Sequence, residues 1–288
     1  MQPRARENSC ITNVRAYVDA HVHIHPCFDI QEFLDAAAKN FLSQASRSVN
    51  VANSKFVLCL TDTYGTDNFS RLGKQAIDSD SVGGQWAFVP GAERASILAS
   101  HPNLGQIEII AGRQIVTAER LEILGLGLVG IPLDGQPTSE VVSRVIESGA
   151  IPILPWGFGK WLGARRQVVN DLIDNFSDGS LYLGDNSGRP GIMPTPAEFV
   201  QANELGMRIL PGSDPLPFAS EYNRAGSFGF YVDDVADREG VWTGLRAMLQ
   251  QGDGQLRSYG SLESTFRFVR NQVAMQYFTR ITNRRKAR

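Results

Sequence analysis

The sequence predicts an α/β protein built as a parallel (β/α) barrel, on three observations. Short apolar runs alternate with helix-like stretches over most of the 288 residues, the pattern of successive strand–helix–strand units. Polar residues collect just after those apolar runs, where the loops of such a barrel converge. Three of the four histidines fall in one segment, Asp19-Ala20-His21-Val22-His23-Ile24-His25.

The first strand is expected over 16–23, an apolar run ending in His-x-His. Asp29-Ile30-Gln31-Glu32 then has the form of a capping box, opening an amphipathic helix to about Ser46. Residues 55–60 read as the second strand, ending in Thr61-Asp62-Thr63, with a helix over 68–77 and a less regular stretch through Trp86-Ala87-Phe88-Val89. Residues 107–110 and 121–124 read as strands flanking Ala111-Gly112-Arg113-Gln114, followed by a helix over 139–147. Pro152 marks the start of the strand at 151–154, because proline lacks the N–H that a strand interior needs. A helix over 165–176 leads to a strand at 181–183.

Thr195-Pro196-Ala197-Glu198 joins an N-cap, a proline at the first helical position and a capping-box glutamate, the clearest helix start in the chain. The strand at 207–210 ends in Pro211-Gly212-Ser213-Asp214. From Ser227 a last strand and two helices, 240–251 and 261–279, are expected as an extension packed on the barrel. Phe266, Val269, Val273, Met275 and Phe278 read as its packing stripe. No repeat, linker or composition break divides the chain, so one domain, 1–288, is expected, with 227–288 as its C-terminal extension.

The formal charge of −2 gives no global basic field, so no nucleic acid is expected as a partner. The basic run Arg284-Arg285-Lys286-Ala287-Arg288 reads as a solvated end. Cys10, Cys27 and Cys59 are irregularly spaced, which suits reduced thiols and a cytoplasmic location. The first residues lack the apolar core of a signal peptide. No membrane partner is expected, since no apolar run approaches the roughly 18 residues of a span.

In a strand, side chains alternate faces, so His21 and His23 project the same way with Asp19 behind them. Neutral imidazole is the commonest metal ligand, and an apolar strand running into His-x-His is a rigid clamp. His21, Asp62, Gln114, Trp156, Asp185 and Asp214 each lie at or just beyond a predicted strand end and belong to one mouth. Asp214, after the last barrel strand, would meet His21 and His23 across the closure. Two imidazoles and one carboxylate suffice for a metal that keeps an open position for water, whose pKa then falls toward about 7. Asp214 and Asp62 are the candidate catalytic carboxylates. Arg113, Lys160 and Arg189, together with Trp156, Asp185 and Asn186, form a rim suited to an anionic small-molecule substrate. His25 shares the parity of His21 only if the strand runs past Pro26, and is taken as substrate-binding; His101 lies outside every motif.

In order along the chain, these motifs resemble the polymerase and histidinol phosphatase (PHP) family of metal-dependent phosphoesterases. Asp19-Ala20-His21-Val22-His23 matches the family's Asp-x-His-x-His. Leu60-Thr61-Asp62-Thr63 is similar to its Thr-Asp-His segment, with threonine in the histidine's place, and Gly112-Arg113-Gln114-Ile115 to its Gly-x-Glu-Ile, with glutamine for the bridging glutamate. Ile153-Leu154-Pro155 stands where the family has Ala-His-Pro, and Gly212-Ser213-Asp214-Pro215-Leu216 where it has Gly-Ser-Asp-Ala-His.

The resemblance implies a distorted, seven-stranded, TIM-barrel-related fold holding up to three metals. Thr63, Gln114, Leu154 and Leu216 remove ligands chiefly of the second and third. What remains implies one divalent ion, zinc, iron or manganese, on His21, His23 and Asp214 with Gln114 as a weak neutral ligand. The expected function is a phosphoesterase-like metal-dependent hydrolase with this reduced site. Two alternatives stay open: a catalytically inactive barrel that binds a ligand or partner, and an amidohydrolase-type C–N hydrolase with Asp214 as general base. The apolar C-terminal helices leave room for a homo-oligomer.

Overall fold

In a computed structural model the described residues are 12–47, 53–77, 84–130, 133–237 and 240–286, with side chains described as far as Phe278. Cys10 lies outside them. The first strand, β1 (Thr12–Val22), is buried on both faces over its second half, as its apolar run requires. It pairs parallel with β2 (Ser54–Leu60) and antiparallel with β11 (Gly229–Asp237). The larger sheet continues through β5 (Gly105–Ile110), β4 (Ser96–His101) and β3 (Ala87–Pro90), and on the other side ends in β12 (Arg257–Tyr259). A second sheet has the order β10 (Ile209–Gly212), β9 (Tyr182–Asn186), β8 (Ile151–Pro155), β7 (Glu122–Leu126), β6 (Gly112–Val116).

Seven α-helices are described: α1 (Ile30–Ala45), α2 (Asn68–Ile77), α3 (Thr138–Glu147), α4 (Ala164–Asn175), α5 (Ala197–Glu204), α6 (Val241–Gln250) and α7 (Thr265–Lys286). Among the described residues no helix is long and apolar enough to cross a membrane.

The two sheets meet at two seams, and these position the site. At one, Asp214 N donates to His21 O at 2.8 Å, which sets the end of β10 against the end of β1. At the other, Asp62 N donates to Gly112 O at 3.1 Å and Gln114 N to Asp62 O at 3.0 Å, setting the end of β2 beside β6. Packing holds these seams. Val14, Ala16, Val18 and Ala20 of β1 share one core cluster with Trp242 of α6. Phe33, Leu34 and Phe41 of α1 close a second against Leu58 and Ile107, each such fully buried side chain stabilising the fold by about 2–3 kcal/mol.

The expected all-parallel barrel is corrected: both sheets are mixed. β6–β7 is antiparallel because the link from Val116 to Glu122 is a hairpin too short for the crossover that parallel pairing needs, and β7 runs antiparallel to β8 as well. Ala111-Gly112-Arg113-Gln114, read as a connection between strands, runs into β6. The hairpin of β4 and β5, turning at Gly105 with φ +82°, and β12 were not expected. Asp29 caps α1 as predicted, accepting from Gln31 N at 2.9 Å and Glu32 N at 3.0 Å. The capping box at Thr195 does not form: Glu198 instead meets Arg166 at 2.9 Å, and α5 has no side-chain cap. The stripe assigned to packing is also corrected. Phe266, Val269 and Val273 are exposed, whereas Met275 of that stripe does turn inward, together with Phe268 and Asn271, over the strand ends.

Candidate metal centre

His21 is the last residue but one of β1 and His23 lies one residue beyond the strand, so strand alternation sends both rings to one side. Their centroids are 4.9 Å apart and their Nε2 atoms 3.0 Å apart. Asp214 Oδ1 lies 3.6 Å from each Nε2, and Gln114 Oε1, from β6, lies 3.2 Å from His21 Nε2. Among the described residues, His21, His23 and Asp214 form the group whose ligand atoms all lie within 4.8 Å of one another in a geometry able to hold a metal ion.

Local structure explains this convergence. Asp19, fully buried in the middle of β1, accepts from Ser213 N at 2.8 Å and His21 N at 3.3 Å on one oxygen, and from Gly226 N at 2.8 Å on the other. It staples β1 to the turn that carries Asp214. Burial pushes this carboxyl up to about 6, although the three N–H donors favour its charged form. Gly212 is required by close approach: a Cβ there would lie 2.4 Å from His21 N. Asp214 adopts φ +46°, a left-handed conformation that aspartate tolerates better than most residues.

The electrostatics suit a cation. Burial and the neighbouring His21 push His23 down to about 3, so its ring is neutral and its lone pair free. The Thr61 hydroxyl donates to Val22 O at 3.1 Å and lies 3.4 Å from His23 Nδ1. It can therefore accept from an Nδ1–H, which leaves Nε2 as the ligand atom. Burial pushes the Asp214 carboxyl up, but His21, His23 and Lys160 outweigh it and hold the group below its usual range. Asn186 Nδ2 donates to Asp214 Oδ2 at 3.3 Å, so one carboxylate oxygen faces the imidazoles while the other is held. Two imidazole nitrogens and one carboxylate oxygen make a borderline donor set that zinc, iron and manganese all accept.

Of the other expected site residues, Trp156, Lys160 and Asn186 line, with His21 and Asp214, a cavity of about 210 Å³. Lys160 forms an ion pair with Glu122 in its wall. Five more are engaged elsewhere. The Asp62 carboxylate accepts from Asn68 Nδ2 at 2.6 Å and Phe69 N at 3.1 Å, fixing the start of α2. Arg113 donates to Thr66 O at 3.0 Å. Asp185 and Arg189 form a two-point pair at 2.9 and 2.7 Å. His25 Nε2 lies 2.8 Å from Pro215 O, and burial pushes its pKa down. At the replaced positions, Leu154 is core, Leu216 lines the cavity, and Thr63 meets Thr66. His101 is structural: Nδ1 accepts from Asn103 N and Leu104 N, each at 3.1 Å, within the β4–β5 hairpin.

Sequence reasoning missed the far wall. Glu221, Arg224 and Glu263 line the cavity beside Phe268 and Asn271. Arg267 of α7 bonds Glu221 at 2.9 Å, and Arg224 meets Glu263 at 3.3 Å. The i,i+4 spacing of Glu263 and Arg267 was the visible signal.

No family model matches the chain, and no curated protein matches it. Solved structures do resemble it. PsfC from Pseudomonas syringae PB-5123 is 17% identical with a TM-score of 0.55, covering 92% of this chain and 99% of that one. The lesion-specific endonuclease PfuEndoQ from Pyrococcus furiosus is 13% identical with a TM-score of 0.50, covering 86% of this chain, which spans 58% of the endonuclease. A two-domain protein from Bacteroides vulgatus ATCC 8482, containing a predicted PHP-like metal-dependent phosphoesterase, has a TM-score of 0.45 at 12% identity, covering 87% of this chain and 66% of its own.

The fold is PHP-like.

The PHP-like likeness corrects the expectation that nucleic acid is excluded as a partner. A protein that shares the fold is a lesion-specific endonuclease, so a chain-wide charge of −2 is no ground for exclusion. Net charge averages over the whole surface, and this chain concentrates basic residues in α7.

Proposed function

We propose that the chain is a PHP-type metal-dependent hydrolase of phosphoesters, with one divalent ion on His21, His23 and Asp214 and Gln114 at its edge. The observation that carries this reading is the convergence of two imidazole nitrogens and one carboxylate oxygen on the wall of a cavity that also holds Lys160. When bound, such an ion supplies Lewis acidity, drawing protons off water near neutral pH and offsetting charge on phosphoryl oxygens.

The chain's own residues do the rest. Asp214 presents Oδ1 to the imidazoles and keeps Oδ2 on Asn186, a fixed carboxylate able to take a proton from the attacking water. Lys160 offers a cation to the phosphoryl group from the same wall. Trp156 and the inner face of α7 narrow the access of bulk water, which strengthens each of these interactions.

The test begins with metal. Protein stripped by chelator and titrated with zinc, iron or manganese takes up one equivalent, and His23→Ala takes up none. A panel of phosphate monoesters and diesters, nucleic acids among them, then finds hydrolysis in wild type that Asp214→Asn lowers by a hundredfold or so. Stoichiometric uptake that His23→Ala leaves intact would sink the assignment.

A further inference from the structure

The outer face of α7 is unused by the candidate centre. Phe266, Val269, Val273 and Tyr277 are 80, 53, 65 and 69% exposed. Their spacing puts them in one row of the helix, opposite the inward Phe268, Asn271 and Met275. Phe158, also mostly exposed, packs edge-on against the inward Phe268 with ring centroids 5.1 Å apart, and so belongs to the cavity side rather than to this row.

Charge gives the second observation. From Thr265 to Lys286 the chain has Arg267, Arg270, Arg280, Arg284, Arg285 and Lys286 and no acidic residue. Arg267 and Arg270 are met by Glu221 at 2.9 and 3.9 Å. The other four basic residues fall in the last two turns.

We propose that this face of α7 docks the chain on an anionic lipid surface, beside the mouth of the candidate centre. A row of exposed aromatic and branched side chains on a helix whose sequence goes on to four more basic residues and holds no carboxylate is the composition of a helix that lies in a membrane interface. The apolar row enters the headgroup boundary, and each cation near the surface adds attraction to acidic lipid. A second copy of the chain fits less well, since opposed α7 faces would bring two acid-free basic helices together. A nucleic-acid backbone would satisfy the cations and leave the apolar row in water.

The full chain is mixed with vesicles of phosphatidylcholine alone, or of two parts phosphatidylcholine to one part phosphatidylserine, and sedimented. Partition is expected to be about tenfold or more stronger on the serine-containing vesicles and to fall with salt. Val269→Asp with Val273→Asp, and separately Arg284→Gln with Arg285→Gln, each lower it by about tenfold, while their circular dichroism melts match wild type. Chelated protein and His23→Ala bind vesicles like wild type, so this result and that of the metal titration are independent. The proposal is overturned by absence of vesicle binding, or by binding indifferent to both double variants. It is equally overturned if light scattering shows a dimer that Val273→Asp dissociates, or if duplex DNA binds at salt where vesicles do not.

Discussion

The two flanks of the strand-end region both carry aspartates just past a strand and use them in opposite ways. On the β1–β10 flank, His21, His23 and Asp214 turn their ligand atoms toward one another within 4.8 Å. On the flank from β2 to β9, Asp62 is taken up by Asn68 and Phe69, Asp185 by Arg189, and Arg113 by Thr66. A polar residue just past a strand is therefore not a site by virtue of its type. What separates the flanks is whether lone pairs have already been consumed by local donors. The first flank stays free because buried support from behind, Asp19 and the missing Cβ of Gly212, holds the ligands without occupying them.

Removing that support is the strongest way to break the contrast. Asp19→Ala strands three backbone N–H groups, those of His21, Ser213 and Gly226, and is expected to cost about 3–5 kcal/mol in urea unfolding, with loss of metal uptake. A cost below about 1 kcal/mol would mean that the turn carrying Asp214 is held by something else. Gly212→Ala follows, at up to about 3 kcal/mol, because its Cβ would press on the backbone of His21 at 2.4 Å. Metal uptake should weaken with it, and unchanged uptake would detach the seam from the centre.

Acid separates the flanks more gently. His23 is held neutral, its pKa pushed down from 6.5 to about 3, so below pH 6.5 the unfolded chain takes up a proton that the metal-free folded chain refuses. The stability this gives is present above the unfolded value and declines as pH falls from there toward the folded one. Between pH 7 and 5 it amounts to roughly 2 kcal/mol. The difference between wild type and His23→Gln, each unfolded in urea without metal, isolates this loss from other titrations. A difference independent of pH would place His23 in water.

Much of the first flank was legible in the sequence. His-x-His in an apolar run fixes a common side by parity alone, and an aspartate after a strand in the first strand's own register of motifs found its partners because β10 does lie against β1. The second flank was misleading because Asn68 and Arg189, only a few positions downstream, decide what Asp62 and Asp185 do, and strand-end position says nothing about such competition. The mixed pairing escaped notice because in the larger sheet β3, β4 and β12 are short segments at or near its edges, and in the smaller one β6 was read as a connection rather than a strand. The long α7 was visible as a helix, but which of its faces turned inward was not. That choice rests on Glu221 and Glu263 meeting Arg267, a contact between segments far apart in the chain as well as neighbours within it.

The smallest expected effect is the sharpest test of the contrast. Asp62→Ala deprives Phe69 N, in the first turn of α2, of its acceptor and frees the Asn68 amide, for a loss of about 1 kcal/mol, as for other helix N-terminal acceptors. Metal uptake should be unchanged, because the Asp62 carboxylate faces α2 and has no part in the group formed by His21, His23 and Asp214. Asp214→Asn, which keeps a residue type at ease with φ +46°, should show the reverse signature, loss of uptake with little change in the urea midpoint of the metal-free chain, since the Asp214 carboxylate accepts one side-chain hydrogen bond, from Asn186 at 3.3 Å. If Asp62→Ala empties the centre, the second flank supplies a ligand after all, and a single ion on the first is the wrong count.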